Sequence, residues 1–173
     1  MTYTCVNTPP TGDSRIINTR YIMGFIVQSG SDVEGVNLTA IRWSIRADSG
    51  STGTLYCKLY NSTSTIPTAL HTFGSVDVST IASPSTFTDV DFTTPMTGTL
   101  SAGNMIGLEY ENTSSPNIHT EVISSSDAQG LFFEYDSGSG VATVTNRSPY
   151  YCYTGGASGG STGFPPPPIV VHF

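Results

Sequence analysis

Apolar side chains in this chain alternate with polar ones over short segments, and no ten-residue segment carries them at the 3.6-residue spacing of an amphipathic helix. The segment GTLYCKLYN (53–61) shows the alternation most clearly. Its apolar set, predicted to face a core, is Leu55, Cys57 and Leu59. The set predicted to point outward is Tyr56, Lys58 and Tyr60. This period of two is typical of a half-buried β-strand.

Segments of strand length recur along the chain and are separated by turn-forming residues such as DSGSTG, SAGN and DSGSG. Eight to ten short strands with such turns predict an all-β fold, a single antiparallel β-sandwich of the jelly-roll kind. The candidate strands are 20–28, 35–47, 53–61, 69–78, 85–93, 104–112, 117–124, 130–136, 141–146 and 149–154.

The alternation slips within one candidate strand, GVNLTAIRWSIRA (35–47). Val36 and Leu38 belong to one phase, and Ile41, Trp43 and Ile45 to the other. One extra residue in a strand moves every later side chain to the opposite face, so the slip predicts a β-bulge near residues 40–41. With that bulge, the side chain of Trp43 is expected to lie in the core.

Two segments, GTLYCKLYNSTSTIPTALHTF and LSAGNMIGLEYEN, resemble paired segments of jelly-roll modules in virion and cell-surface proteins. The resemblance covers about a third of the chain and implies a jelly-roll fold. The resemblance assigns no ligand-binding residue, because such modules occur in lectins, phage fibres, capsid decorations and adhesins. The matching residues are Gly53, Leu55, Leu59, Tyr60, Pro67, Leu70, Ala102, Gly103, Ile106, Leu108 and Tyr110.

The formal charge of −7 comes from 13 acidic and only 6 basic residues, and the basic residues are scattered. Phosphate binding relies on clustered lysine and arginine, so nucleic acid and anionic membrane are not expected partners. The N-terminus lacks a basic region followed by an apolar run, and no apolar stretch approaches the roughly 20 residues that span a bilayer. Either an export signal has been removed or the protein is made and assembled in the cytoplasm of a host cell, and Met1 favours the second interpretation. The expected location is a virion surface, with an extracellular or cell-surface location as the alternative.

The three cysteines have no metal-ligand spacing. Cys57 alternates with leucines and is predicted to lie in the core as a small apolar side chain. Cys5 and Cys152 lie near the two ends of the predicted domain and could form a disulfide across neighbouring edge strands, which spacing alone does not decide.

No constellation in the sequence identifies a reaction, and no cofactor or metal is expected. GASGG (156–160) and GGSTG (159–163) match G-x-S-x-G, but they lie in a Gly/Ser run rather than between a strand and a helix. The histidines His71, His119 and His172 lie far apart in the sequence. A Ca²⁺ site is conceivable at DVD (89–91) with EYE (109–111), although a solvated acidic face explains both motifs.

Aromatic residues offer one further binding hypothesis. PYYCY places Tyr150, Tyr151 and Tyr153 close together, and with Trp43 they could stack on the faces of sugar rings. Exposed aromatic side chains equally mark a protein interface, and that interpretation is preferred because of the C-terminal tail.

The tail, GGASGGSTGFPPPPIVVHF (155–173), has three parts in a fixed order. A Gly/Ser coil of about 15–18 Å precedes a polyproline spacer of about 12 Å. The apolar end follows, and burying it would contribute roughly 6–12 kcal/mol against an ordering cost of roughly 5–10 kcal/mol. One tail would therefore bind weakly, whereas many tails in a symmetric array would bind well because of their high effective concentration. The residues predicted to contact a partner are Pro165, Pro166, Pro167, Pro168, Ile169, Val170, Val171 and Phe173.

The sequence thus predicts an extended arm over residues 1–14, a β-sandwich domain over 15–154 and a linker, spacer and apolar hook over 155–173. The favoured function is a non-enzymatic structural subunit of a virion surface, either a capsid decoration or a tail-fibre module. Its expected partners are copies of itself or a capsid, tail or filament protein, and surface glycans are a further candidate. A carbohydrate-binding module or lectin and an extracellular filament subunit are the alternatives.

Overall fold

The computed structural model describes residues 2–6, 14–17, 21–61, 67–81, 86–111, 117–123, 130–136, 140–144 and 147–157. Within these ranges the protein is all-β, with a single 3-10 turn at Val78–Thr80. The strands are β1 Thr4–Val6, β2 Ser14–Ile17, β3 Tyr21–Val27, β4 Val36–Ala47, β5 Thr54–Tyr60, β6 Ala69–Asp77, β7 Thr88–Phe92, β8 Met105–Tyr110, β9 Ile118–Ile123, β10 Gly130–Asp136, β11 Gly140–Thr143, β12 Ser148–Pro149 and β13 Tyr151–Ala157.

Two antiparallel sheets form a sandwich, as the alternation predicts. A six-stranded sheet has the order β11-β10-β3-β8-β5-β6. A seven-stranded sheet has the order β1-β13-β4-β9-β12, with β2 beside β9 and β7 beside β4. The two segments that resemble jelly-roll modules meet in the six-stranded sheet, where Leu55 lies opposite Tyr110 and Leu59 opposite Ile106. The packed faces of the two sheets enclose the main core.

The predicted bulge lies in β4. Thr154 of β13 pairs with Ala40, and the next residue, Gly155, pairs with Leu38, so Thr39 is the inserted residue. Its hydroxyl bonds to the hydroxyl and to the carbonyl of Thr154, at 2.8 and 3.2 Å. The insertion makes Ala40 and Ile41 consecutive buried residues, which confirms the phase slip seen in the sequence.

Aromatic side chains fill the centre of the sandwich. Trp43 has no exposed surface, as predicted, and its ring lies 5.8 Å from that of Tyr151, centroid to centroid. The ring of Tyr151 in turn stacks on Phe25 at 3.9 Å. Cys57 is buried and unpaired, as predicted, and burial raises the pKa of its thiol far above the usual value. Such a thiol is inert at neutral pH.

A second, smaller apolar cluster covers part of the outer face of the six-stranded sheet. The prediction that Tyr60 is exposed is wrong, because its side chain is 1% exposed there. Its hydroxyl donates to Glu109 Oε2 at 2.6 Å, and Lys58 Nζ bonds to the other oxygen of that carboxylate at 2.9 Å. Burial and this carboxylate raise the pKa of Tyr60. The buried members of the cluster are Ile22, Tyr60, Met105 and Phe133.

A disulfide joins the two ends of the described chain. Cys5 of β1 lies directly opposite Cys152 of β13, with Cα atoms 3.9 Å apart, and the bond closes a loop across 147 residues of sequence. The pairing left open by the sequence is therefore present. β1 is only three residues long, and the disulfide attaches it covalently to β13 at the sheet edge.

The strand β13 runs three residues beyond Thr154, where the sequence analysis ends the domain. Gly155, Gly156 and Ala157 pair with Leu38, Asn37 and Val36. The two backbones approach closely at Gly155, since a Cβ there would lie 2.3 Å from the carbonyl oxygen of Asn37. Only glycine fits that contact, and it allows the sheet to continue into the Gly/Ser segment.

The direction of β4 defines two poles of the sandwich. Ala157, the last described residue of β13, pairs with the first residue of β4, and this end of the sandwich is here called the tail pole. β4 is 12 residues long, and at about 3.3 Å per residue its last residue lies about 35 Å away, at the distal pole. Described residues of three connections lie at the distal pole: residues 48–53, residues 78–81, and residues 111 and 117.

Candidate functional site

The residues predicted to contact a partner, Pro165, Pro166, Pro167, Pro168, Ile169, Val170, Val171 and Phe173, lie outside the described residues. The strand that precedes them is described as far as Ala157. The starting point of the tail on the sandwich is therefore known, and the position of its apolar end stays a prediction.

The predicted aromatic platform is not exposed as a unit. Tyr151 has no exposed surface and Tyr153 is 8% exposed, because both side chains point into the core between the sheets. Trp43 is buried with them. The neighbouring Tyr150 points the other way and is half-buried, since alternate residues of a strand face opposite sides. Tyr151 and Tyr153 therefore cannot present their faces to a sugar.

The two acidic motifs lie on different sheets. Asp89 and Asp91 project from β7 and are paired with Arg42, whereas Glu109 lies on β8 and is paired with Lys58. The hypothesis of a shared Ca²⁺ site is therefore wrong. Among the described residues, no group of three or more metal-ligating side chains converges on one point.

Arg42 organises the outer face of the seven-stranded sheet. Its guanidinium binds both oxygens of Asp91, at 2.6 and 2.9 Å, and reaches Asp89 at 3.3 Å. The hydrogen bonds from Arg42 lower the pKa of Asp91. The ring of Tyr3 lies over the guanidinium, 4.1 Å from its carbon. Because Tyr3 is two residues from the disulfide, this cluster fastens the N-terminal segment to the sheet.

The two described histidines are on different sheets, as residues of β6 and β9. His71 packs edge-on against Phe73 and bonds to the backbone oxygen of Thr94 at 3.1 Å. His119 is buried at the distal pole. No shared catalytic site can form between them.

His119 belongs to a charged network with Arg46 and Asp48. Its Nε2 lies 3.1 Å from Asp48 Oδ1, and its Nδ1 lies 3.2 Å from Arg46 Nη2. Arginine only donates and a carboxylate only accepts, so the neutral ring carries its proton on Nε2. Burial and the neighbouring Arg46 lower the pKa of His119, and Asp48 partly opposes that shift. Both ring nitrogens are occupied, so neither is placed to activate a nucleophile.

Asp48 is also one of the residues that line a cleft of about 240 Å³ at the distal pole, between residues 47–52 and residues 78–81. The backbone of the first connection turns at residues 48–51, where Ser51 N–H donates to the Asp48 carbonyl at 3.1 Å and Gly50 has a φ of +81°. Glycine at that position suits a type II turn. The hydroxyl of Tyr110 fixes the next residue by donating to the Thr52 carbonyl at 2.7 Å. The lining residues are Ala47, Asp48, Gly50, Ser51, Thr52, Val78, Ser79 and Ile81.

Sequence reasoning missed this cleft. DSGSTG (48–53) carries a clear signal for a turn, but its other wall comes from Val78, Ser79 and Ile81, which are about thirty residues further along the chain. The local sequence pattern predicts which residues form turns. It does not predict which turns lie next to each other in the folded protein.

No protein-family model, no curated protein and no solved structure matches this chain. Among the described residues, no helix is long and apolar enough to cross a membrane. The fold and the geometry of the chain itself therefore carry the functional argument.

Proposed function

We propose that the protein is a structural subunit, a β-sandwich that coats or builds a larger particle and is held in an array by its C-terminal tail. The favoured particle is a virion, with the subunit as a capsid decoration or a tail-fibre module. The partners are copies of the protein or a capsid, tail or filament protein. The role is non-enzymatic and requires no cofactor.

The observation that carries the proposal is the origin of the tail. It follows directly from β13, which is paired with β4 along its length and cross-linked to β1 through Cys152. A load on the tail is thus delivered to a central strand of the sheet. The order of the tail, a flexible coil followed by stiff prolines and an apolar end, suits attachment to a neighbour.

The disulfide also bears on location. Such bonds persist in oxidising surroundings and are rare in the cytosol. A subunit assembled in the cytoplasm would close this bond only after release. The bond therefore favours a role on a particle outside the cell, and it is equally compatible with the extracellular filament alternative.

Truncation tests the proposal, and the end of β13 decides where to cut. A chain ending at Ala157 keeps every described pair of β13, so it should retain the melting temperature of the full chain and fail to assemble. A chain ending at Thr154 loses three backbone pairs with β4, so it should also melt at a lower temperature. Calorimetry measures the melting temperature of each truncated chain. Light scattering and electron microscopy of particles measure its assembly.

A point substitution in the tail adds a finer test. Phe173→Ala should weaken assembly by roughly 2–4 kcal/mol per site if its ring is buried in the neighbour, on the scale of core truncations. If the chain ending at Ala157 assembles normally and melts several degrees lower, the apolar end folds back on its own sandwich and the proposal is wrong.

A further inference from the structure

The distal pole carries a cleft, and a subunit attached through its tail as proposed would turn that pole away from the particle. β4 separates the two poles by about 35 Å, and the last described strand ends at the other pole, where Ala157 pairs with Val36. The cleft itself is formed by described residues. Only its outward presentation rests on the proposed function.

The cleft combines an apolar floor with polar groups at its rim. Ala47, Val78 and Ile81 are buried, and Thr52 and Ser79 are exposed. The hydroxyl of Ser79 donates to Asp77 Oδ1 at 2.7 Å, which leaves its oxygen able to accept a hydrogen bond. A small pocket with an apolar base and a few convergent polar groups is the usual form of a ligand site.

The charges around the cleft select among ligand classes. Among the described residues, Asp48 is the only charged one that lines the cleft, so no cationic lining residue is available to bind an anion. A divalent cation is also disfavoured, because Asp48 Oδ1 is already bound by His119 at 3.1 Å and lies 3.6 Å from Arg46 Nη1. Asn117 Nδ2 donates to the other oxygen, Oδ2, at 3.5 Å. The cleft therefore favours a neutral ligand that bonds to the hydroxyl and backbone groups at its rim.

The size narrows the choice further. A volume of about 240 Å³ lies below the roughly 300–1,000 Å³ of pockets that hold drug-sized ligands, so one small ring is the natural occupant. A neutral sugar has that size, presents several hydroxyl donors and acceptors, and has apolar C–H faces that suit the floor. We propose that the distal cleft binds one neutral saccharide residue, such as the terminal sugar of a surface glycan.

The test uses the full chain and two matched variants. Thr52→Trp fills the cleft from its rim, and Thr72→Trp places the same side chain on an exposed position of β6, away from the cleft. D-Galactose, D-glucose, D-mannose and N-acetylglucosamine are titrated singly, while the backbone amide signals of Gly50, Ser51 and Ser79 are followed by NMR. N-Acetylneuraminic acid and CaCl₂ are titrated as the acidic and cationic alternatives.

We expect at least one neutral sugar to shift these amide signals with roughly millimolar affinity, which is typical of a ligand of few atoms. Thr72→Trp should bind like the unmodified chain, and Thr52→Trp should bind about tenfold more weakly or not at all. The inference is overturned if no neutral sugar shifts these signals, if Thr52→Trp binds normally, or if the acidic sugar or Ca²⁺ binds more tightly than any neutral sugar. Light scattering on the same samples reports assembly separately, so the failure of tail docking and the failure of sugar binding are distinguishable.

Discussion

At the scale of single residues, partners decide what each polar group can do. Asp91 and Asp89 are residues of the kind that bind cations, but both already pair with Arg42, at 2.6 and 3.3 Å. Histidine commonly acts as a general base, but Arg46 and Asp48 bind both ring nitrogens of His119. The sequence predicts which residues are polar. It cannot predict these pairings, because the partners lie on different strands.

The depressed pKa of His119 predicts a pH-dependent stability. The neutral ring is favoured in the folded state, whereas the unfolded chain takes up a proton near the ordinary value of 6.5. The unfolded state therefore binds more protons below that pH, and the free energy of unfolding should fall as the pH drops from about 6.5 through the lower folded pKa. Urea titrations between pH 8 and pH 5 measure this fall.

His119→Gln is the matched control for that titration. Its amide can donate to Asp48 and accept from Arg46, as the neutral imidazole does, but it does not titrate. The variant should lose most of the slope between pH 6.5 and pH 5. An equal slope in both proteins would assign the pH dependence to other groups.

At the scale of elements, every segment predicted as a strand contains one in the structure, and the bulge in β4 lies one residue from its predicted position. The alternation succeeds because one face of each strand is buried. β1, β2 and the last three residues of β13 were missed for a physical reason. β1 and β2 are too short to show a period, and Gly155 and Gly156 carry no side chain with which to show a face.

Those two glycines give a test of how the last strand packs. A Cβ at Gly155 would lie 2.3 Å from the Asn37 carbonyl oxygen and 2.7 Å from Val36 Cγ1, whereas a Cβ at Gly156 would meet no atom within 4 Å. Gly155→Ala should therefore reduce the free energy of unfolding by about 1–3 kcal/mol. Gly156→Ala should change it by less than about 0.5 kcal/mol. Urea unfolding compares the two, and similar values for both variants would contradict the close approach of β13 to β4.

At the scale of the whole molecule, the sequence predicts the sandwich but not its poles. Each strand buries one face, and two packed sheets satisfy that requirement. The alternation that predicts it lies within each short segment of sequence. The cleft, the fastened N-terminal segment and the origin of the tail depend on which loops and edges meet. The same limit applies to the aromatic residues, since Tyr150 and Tyr151 are neighbours in sequence and lie on opposite faces of one sheet.

The disulfide is the strongest stabilising feature that can be tested at this scale. A loop of 147 residues loses enough chain entropy in the unfolded state for a stabilisation of about 2–5 kcal/mol. Cys152→Ser should lower the melting temperature accordingly. Dithiothreitol should lower it in the unmodified chain and leave it unchanged in the variant, since Cys57 is buried and forms no disulfide.

The same bond determines the mechanics of the molecule. Tension applied between residues before Cys5 and residues after Ala157 loads the pairing of residues 153–157 with β4 and then passes through the disulfide, so the chain between Cys5 and Cys152 is not extended. Single-molecule pulling on the two ends should extend only the flanking segments while the bond is intact. After reduction the 147-residue span can unravel and release roughly 500 Å of contour length, at about 3.5 Å per residue. The sandwich should therefore stay folded under tension until the surroundings become reducing.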